Sequence, residues 1–351
     1  MILSSMNKYL SLILFLMASS VYSEELIQVK CSLFDLKGNL VYRWPQSGEM
    51  CLFFDNGYVV AADFDQMKKF DNKGNLLWTI PGYFHHQMKL GQDKKRIYIL
   101  GAKTNDFLGG KVRMDTVDAI DLENGKHVAQ FELYNFLREL AVDPTLSLHR
   151  GFFQKSLFPY DFDLSHANSV FEIPENKLSN INPAFQKGNW LINIGMLRQF
   201  IIVDRDLKNL LWHKNWNSEY FDVHDVQLNK NGELIVYVNG VNSLQGKITV
   251  IHHLDPLSEK ANAFLKSFTP LVNGKPFFQH FVGGVQERDN GDILLSVLSQ
   301  DKGFELALFG EKNELKMKFV PLFNLRGQIG VPFQEGRIIE VGNFLKNRSD
   351  N

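Results

Sequence analysis

The chain runs to 351 residues, 44% of them hydrophobic, 13% aromatic and 22% charged. That is too apolar for a disordered protein and long enough for a large core in one or two domains. Its 38 basic side chains balance 39 acidic ones for a formal net charge of −1, so no long-range field draws it to nucleic acid or an anionic membrane, and two cysteines exclude a disulfide-dense scaffold or a cysteine-rich metal site.

At the N-terminus Lys8 precedes an apolar stretch, Leu10–Ala18, followed by small and polar residues through Ser23. The stretch is short for a membrane span and fits a secretory signal, residues 1–23, cleaved after Ser23. The mature chain is then expected in the periplasm or secreted, with no membrane span. Cys31 and Cys51 would meet an oxidising environment there, and the sequence leaves open whether they pair.

From residue 25 onward helical periodicity is scarce. Short runs of β-branched, leucine and aromatic residues recur instead, bounded by Gly, Asn and Asp. Asn56-Gly57, Asn231-Gly232 and Asn290-Gly291 each stand between two apolar runs and suggest type I′ hairpin turns. A second phrase repeats: Asp35-Leu-Lys-Gly-Asn-Leu-Val-Tyr42, Asp71-Asn-Lys-Gly-Asn-Leu-Leu-Trp78, Asp121 to Val128, Asp204 to Trp212, and a worn copy from Gly310 to Met317. Together these mark four-strand units over 48–82, 83–133, 166–220, 221–270 and 277–321, the period of β-propeller blades. Residues 29–45 read as an outer strand pair, and Gln328–Pro332 with Arg337–Val341 as an inner pair. The expected fold is therefore all-β, a six-bladed propeller over 24–345 closed by strands from both termini. Residues 134–165 would form an insertion between the second and third blades, and 346–351 a disordered tail. Closure of this kind hides sheet edges that would otherwise be unpaired.

Four of the ten histidines fall at or just before the first strand of a unit: His86, His166, His224 and His280. The first strand of a blade is the innermost, so residues at one phase of different blades converge on one mouth of the central channel. Imidazole titrates near neutrality and can act there as nucleophile, acid or base, or metal ligand. Asn168 and Arg198 accompany this group in the third unit, and Asp225 follows His224, able either to orient an imidazole or to cap its turn. His85 is expected to point elsewhere. His127, His149 and His213 belong to outer strands or the insertion, and His252-His253 to a solvated third strand.

His166-Ala-Asn-Ser-Val170, Arg198-Gln199 with Ile202-Val203-Asp204 and Leu211-Trp212, the run His224-Asp-Val-Gln-Leu-Asn-Lys-Asn-Gly232, and Gly284-Val285-Gln286 with Asn290-Gly-Asp-Ile-Leu294 resemble the bacterial PAPS-independent aryl-sulfate sulfotransferases, across about residues 48 to 320. The resemblance implies a six-bladed propeller with its site in the channel and a ping-pong reaction without a diffusible cofactor. An aryl sulfate would give its sulfuryl group to a histidine, and a phenolic acceptor would take it from there. It implies His280 as nucleophile, with His166 and His224 binding sulfate oxygens or protonating the leaving phenolate, and Phe277, Phe278 and Phe281 beside His280 as an aromatic wall. Asn168 and His86 would join the substrate site. The sequence departs from the family at an essential arginine, for which Asn242 to Lys247 offers only Lys247, with Arg198 as possible compensation; lysine lacks the planar fork. Only residues 24–47 precede the first full unit, where the family carries a dimerising β-domain, so a monomer is expected. Two other readings remain: a non-catalytic cell-envelope propeller binding a protein or glycan, and a metal-dependent enzyme with the four histidines as ligands.

Overall fold

The computed structural model describes residues 25–46, 48–107, 110–136, 162–216, 222–243, 246–260, 264–272, 275–276, 283–299, 303–310, 314–319, 336–340 and 344–348. Three strands open the chain: β1 (Glu25–Val29), β2 (Ser32–Phe34) and β3 (Leu40–Arg43). Blade 1 follows with β4 (Met50–Phe53), β5 (Val59–Ala62), β6 (Gln66–Phe70) and β7 (Leu76–Pro81). Blade 2 has β8 (Phe84–Leu90), β9 (Arg96–Phe107), β10 (Gly110–Asp121) and β11 (His127–Glu132), with β12 (Phe162–Asp163) added in parallel to β10. Blade 3 comprises β13 (Ala167–Glu172), β14 (Trp190–Ile194), β15 (Gln199–Val203) and β16 (Leu210–Asn215). Blade 4 comprises β17 (Asp222–Leu228), β18 (Leu234–Ser243), β19 (Gly246–Leu254) and β20 (Phe264–Phe268). After a small hairpin, β21 (Leu271–Val272) with β22 (Lys275–Pro276), blade 5 has β23 (Gly284–Glu287), β24 (Ile293–Ser299), β25 (Gly303–Phe309) and β26 (Leu315–Phe319). Finally β27 (Gly336–Glu340) pairs with β1, giving a closing sheet in the order β27-β1-β2-β3.

The chain is thus all-β, six antiparallel blades in a ring. Closure differs in detail from the expectation. The N-terminus supplies three strands and β27 one, with Ile27 opposite Ile338 and Val29 opposite Gly336. The two-plus-two split missed β1 because Glu25–Val29 adjoins the expected signal sequence. Gln328–Pro332 and residues 1–23 lie outside the described residues. Phe344–Arg348 forms a short helix where a disordered tail was expected from 346, and Phe344 is buried against Tyr42 and Phe53. Of the expected insertion, Leu133–Phe136 forms a 3-10 turn and its end returns as β12.

The Asn-Gly hairpins use a different turn from the one expected. Gly57 N–H donates to Phe54 C=O and Phe54 N–H to Tyr58 C=O, and the same pair of bonds recurs at Asn229–Glu233 and Arg288–Asp292. Only the glycine of each pair takes positive φ, 80° to 84°, so these are type I turns closed by a glycine bulge. The Asp35 and Asp71 phrases fold the same way, each aspartate Oδ1 accepting backbone N–H groups two and four residues on. The side-chain acceptor favours the right-handed turn, which is why Asn and Asp lead these phrases.

Hydrophobic clusters join every neighbouring pair of blades. Trp190 stacks on Tyr98 at 3.9 Å between blades 3 and 2, and Ile27, Val29 and Phe34 pack on Leu294, Leu306 and Leu308 between the closing blade and blade 5. Leu26, Leu33 and Trp44 meet Cys51, Val59 and Phe70 across the seam with blade 1. The seam is also covalent, because Cys31 and Cys51 form a disulfide spanning 20 positions. Reduction, or Cys31→Ser with Cys51→Ser, is expected to lower unfolding stability by about 3 kcal/mol, read as a fall in the urea midpoint; an unchanged midpoint would mean that the strand pairing alone holds the seam.

Candidate functional site

Inner strands of successive blades are tied by side chains reaching to the next backbone. Gln87 Oε1 accepts Val170 N–H at 3.0 Å, Ser169 Oγ accepts Val226 N–H at 3.3 Å, and Asp225 Oδ2 accepts Val285 N–H at 3.0 Å. These bonds put Gln87, Ser169 and Asp225 at one phase of blades 2, 3 and 4. Asp225 therefore holds blade 5 and the following Val226 N–H, and its Oδ1 also accepts from Gln87 Nε2 at 3.4 Å. Each strand bulges immediately before this position, at His85/Met88, Ala167/Ser169 and Val223/Asp225. Asn168 and His224 consequently share a phase with His86, and His166 stands two positions earlier.

Despite that offset, His86 and His166 meet. Their rings are edge to face, with centroids 5.1 Å apart, and both residues take left-handed backbone, φ 58° and 45°. That conformation is uncommon outside glycine and concentrates at functional positions. His166 Nδ1 lies 2.6 Å from Asp163 Oδ2, and its N–H donates to Asp163 Oδ1 at 3.1 Å. Asp163 reaches this place because β12 pairs with β10 and sets it opposite Arg113.

Arg113 organises what lies beneath. Its two terminal nitrogens donate to Asp163 Oδ2 at 3.0 Å and Asp115 Oδ1 at 2.9 Å, and Nη2 also lies 2.9 Å from His85 Nε2. His85 Nε2 is 3.0 Å from Asp115 Oδ1, and its Nδ1 is 2.5 Å from His86 Nδ1. Ser165 Oγ donates to Asp115 Oδ2 at 2.7 Å and accepts Asp115 N–H at 2.8 Å. The Tyr83 ring lies over the guanidinium, 5.2 Å from its centroid. Arg113, Asp115, Asp163 and His85 are all at least 96% buried.

The electrostatics divide the two facing histidines. Burial disfavours the charged form of His166, but the Asp163 charge and hydrogen bond outweigh it and raise the pKa above its ordinary 6.5. His86 moves the other way, held well below 6.5 by burial and then by repulsion from His85, His166 and Arg113. Burial, followed by Arg113, also lowers His85. For Asp115 and Asp163 burial would raise the pKa, yet Arg113 and the neighbouring histidines bring both below the usual carboxylate range.

Among the other expected residues, His224 is buried in blade 4 with Nδ1 2.9 Å from the Asn239 amide, which accepts from Thr249. Asn168 and Asn193 both donate to Val223 C=O, at 3.0 and 2.6 Å, tying the backbone beside His224 to blade 3. Arg198, half-buried, occupies the turn between β14 and β15, which is bonded to Ser165 and His166 through Met196 and Gly195. Lys247 lies in β19 opposite Asn242, and its side chain is outside the described residues, as are His280, Phe277, Phe278 and Phe281.

Two expectations are corrected. His85 belongs to the network, because the bulge after it turns both neighbouring rings toward Nδ1–Nδ1 contact. His252 and His253 are buried, bonded to Ser267 and Glu233. The sequence reading missed Arg113, Asp115, Asp163 and Ser165. A usable signal was there: charged residues alternate with apolar ones in Arg113-Met-Asp-Thr-Val-Asp118, inside a strand otherwise built for burial, and Asp163 stands three residues before His166. Among the described residues no group of three or more His, Cys, Asp or Glu side chains is placed to hold a metal ion.

Arg113→Met should cost about 3–5 kcal/mol in urea unfolding, because it strands two buried carboxylates; a loss below about 1 kcal/mol would show that Asp115 and Asp163 are neutral instead. Stability should also fall on both sides of neutrality. His85 and His86, depressed in the fold, lose stabilisation as pH falls below 6.5, followed by the two aspartates as it falls further. The raised His166 contributes fully below 6.5 and loses that contribution as pH rises through its folded pKa. His166→Asn should therefore flatten the alkaline limb of the urea midpoint against pH and leave the acid limb in place.

No family model matches the chain, and no curated protein matches its sequence. Solved structures do match by fold. A protein of unknown function from Bacteroides caccae superposes with a TM-score of 0.51 at 12% identity, covering 85% of this chain and 94% of that one. The dihydro-heme d1 dehydrogenase NirN in complex with DHE gives a TM-score of 0.40 at 12% identity, covering 86% of this chain and 55% of that one. At 12% identity the likeness to the first is one of fold alone.

Proposed function

We propose that the channel mouth around His86 and His166 is the active site of a periplasmic or secreted transferase that moves a sulfuryl group from an aryl sulfate to a phenol. The observation that carries this reading is the facing pair itself: one imidazole biased toward its charged form and fixed by Asp163, the other biased toward neutrality. Titrating neighbours pushed apart in this way mark an acid and a base. The sequence resemblance to aryl-sulfate sulfotransferases adds the reaction class.

In this reading a neutral histidine, His280 by the resemblance, attacks sulfur. An N–S bond forms as the S–O bond to the phenol breaks, and His166 gives its proton to the departing oxygen. In the second half the acceptor phenol returns a proton to His166, its oxygen forms the new S–O bond, and the N–S bond breaks. Arg113 is not the residue that grips the sulfate, because it is buried beneath the mouth between Asp115 and Asp163. That task falls to protonated His166, His224 and the cationic candidates Lys247 and Arg198.

The mature protein should transfer sulfate from 4-nitrophenyl sulfate to phenol. His280→Asn should abolish a sulfohistidine adduct detectable by intact-mass analysis. His166→Gln should cost roughly 10²–10⁴ in kcat, more for phenols of high pKa, which need a proton to leave, than for 4-nitrophenol. A uniform loss across leaving groups would remove His166 from the acid role.

The pairing of buried Arg113 with two buried aspartates favours a second reading, a non-catalytic envelope propeller in which these charges only brace blades 2 and 3. It expects no transfer from any aryl sulfate and a loss of stability alone in His166→Gln.

A further inference from the structure

The other face of the ring holds a cavity of about 670 Å³, inside the usual range for small-ligand sites. It lies where the inner strands end, at Lys89 of β8, Phe171 of β13, Gln227 of β17 and Glu287 of β23, and its nearest lining is roughly 10 Å along the strand from the histidines, Lys89 and Gln227 following His86 and His224 by three residues.

Two carboxyl groups converge there on one amide. Asn229 Oδ1 accepts the N–H groups of Asn231 and Glu233, each at 3.0 Å, which turns its Nδ2 toward the acids. That nitrogen donates to Glu233 Oε2 at 3.2 Å and lies close enough to Glu287 to favour its charged form. Glu233 Oε2 is held from behind by His253 Nδ1 at 2.9 Å; His253 is fully buried, and its Nε2 has no hydrogen-bond partner among the described residues. The lining charges balance, four basic against four acidic, so an anion would meet as many repelling groups as attracting ones, and so would a cation. What remains is dense hydrogen-bonding capacity beside the half-buried ring of Phe171.

We propose that this cavity binds a neutral oligosaccharide, Glu233 and Glu287 bonding adjacent sugar hydroxyls and Phe171 offering its face to a pyranose ring. Burial, reinforced by the charge of Glu233, raises the Glu287 pKa above that of an ordinary carboxyl. Burial would raise Glu233 as well, but the His253 and Asn229 hydrogen bonds outweigh it and keep Glu233 an ionised acceptor. Sugar hydroxyls, each donor and acceptor at once, match the two carboxylate acceptors and the amide and lysine donors that line the cavity. The proposal is independent of the transferase reading, since it shares no residue with the histidine mouth.

Calorimetric titration of the mature protein with chitotetraose, cellotetraose and maltotetraose tests it. At least one should bind, Glu287→Ala and Phe171→Ala should each weaken binding tenfold or more without moving Tm, and Glu287→Gln should retain binding because the amide oxygen preserves the acceptor. Failure of all three sugars to bind would overturn the proposal. So would binding that survives both alanine substitutions, or binding only of a charged chain such as tetragalacturonate. Aryl sulfate transfer measured in the same variants should be unchanged, so this proposal and the transferase reading can fail separately.

Discussion

Pairing of Glu25–Val29 with Gly336–Glu340 joins residues some three hundred positions apart and turns a row of sheets into a ring. Everything at the channel follows from that constraint. A row of blades has two exposed ends and leaves its inner strands free to splay; a ring removes the ends and fixes the spacing of every inner strand. The Cys31–Cys51 disulfide and the cluster around Trp44 and Phe70 lie on the other side of the closing sheet, where they fix it against blade 1. Gln87, Ser169 and Asp225 then act as rungs between neighbouring inner strands, so that His86 and His166, eighty positions apart, meet with a defined geometry.

Within the ring, Arg113 decides what the histidines can do. Two buried carboxylates side by side would ordinarily force one to take up a proton. The guanidinium between them keeps both ionised, and an ionised Asp163 is what raises and orients His166. The same positive charge, with burial, holds His85 and His86 neutral. One side chain on an otherwise structural third strand thus creates the contrast between the two facing imidazoles. Its reach depends on β12, since without that strand Asp163 would have no register against β10.

The fold was legible because its signals are local. Asp35, Asp71 and Asp204 sit at the starts of turns whose chemistry dictates their identity, and their repetition reveals the blade period. The site was only partly legible. His86, His166 and His224 stood out by phase, but phase counted in sequence ignores the bulges, which shift His166 by two positions against the hydrogen-bonded frame. Arg113 and Asp163 escaped notice for a different reason. They come from an outer strand and from the end of an insertion, and nothing in a linear reading says that β12 returns to lie beside β10. His253 was read as solvated because a third strand usually alternates its faces toward water; Glu233 from the preceding turn supplies the partner that permits its burial.

The charge of the histidine mouth rests on a single proton. Arg113 offsets one of its two aspartates, His85 and His86 are biased toward neutrality, and His166 therefore determines whether the second aspartate is balanced. With His166 protonated the cluster is neutral; without that proton it carries one negative charge. An anionic substrate is repelled by the second state and accepted by the first, so by linkage its arrival raises the proton affinity of His166 further. Under the transferase reading this coupling has a direct use: the acid needed to release the phenol is loaded by the binding of the sulfate ester and unloaded when the charge of the transferred group moves away.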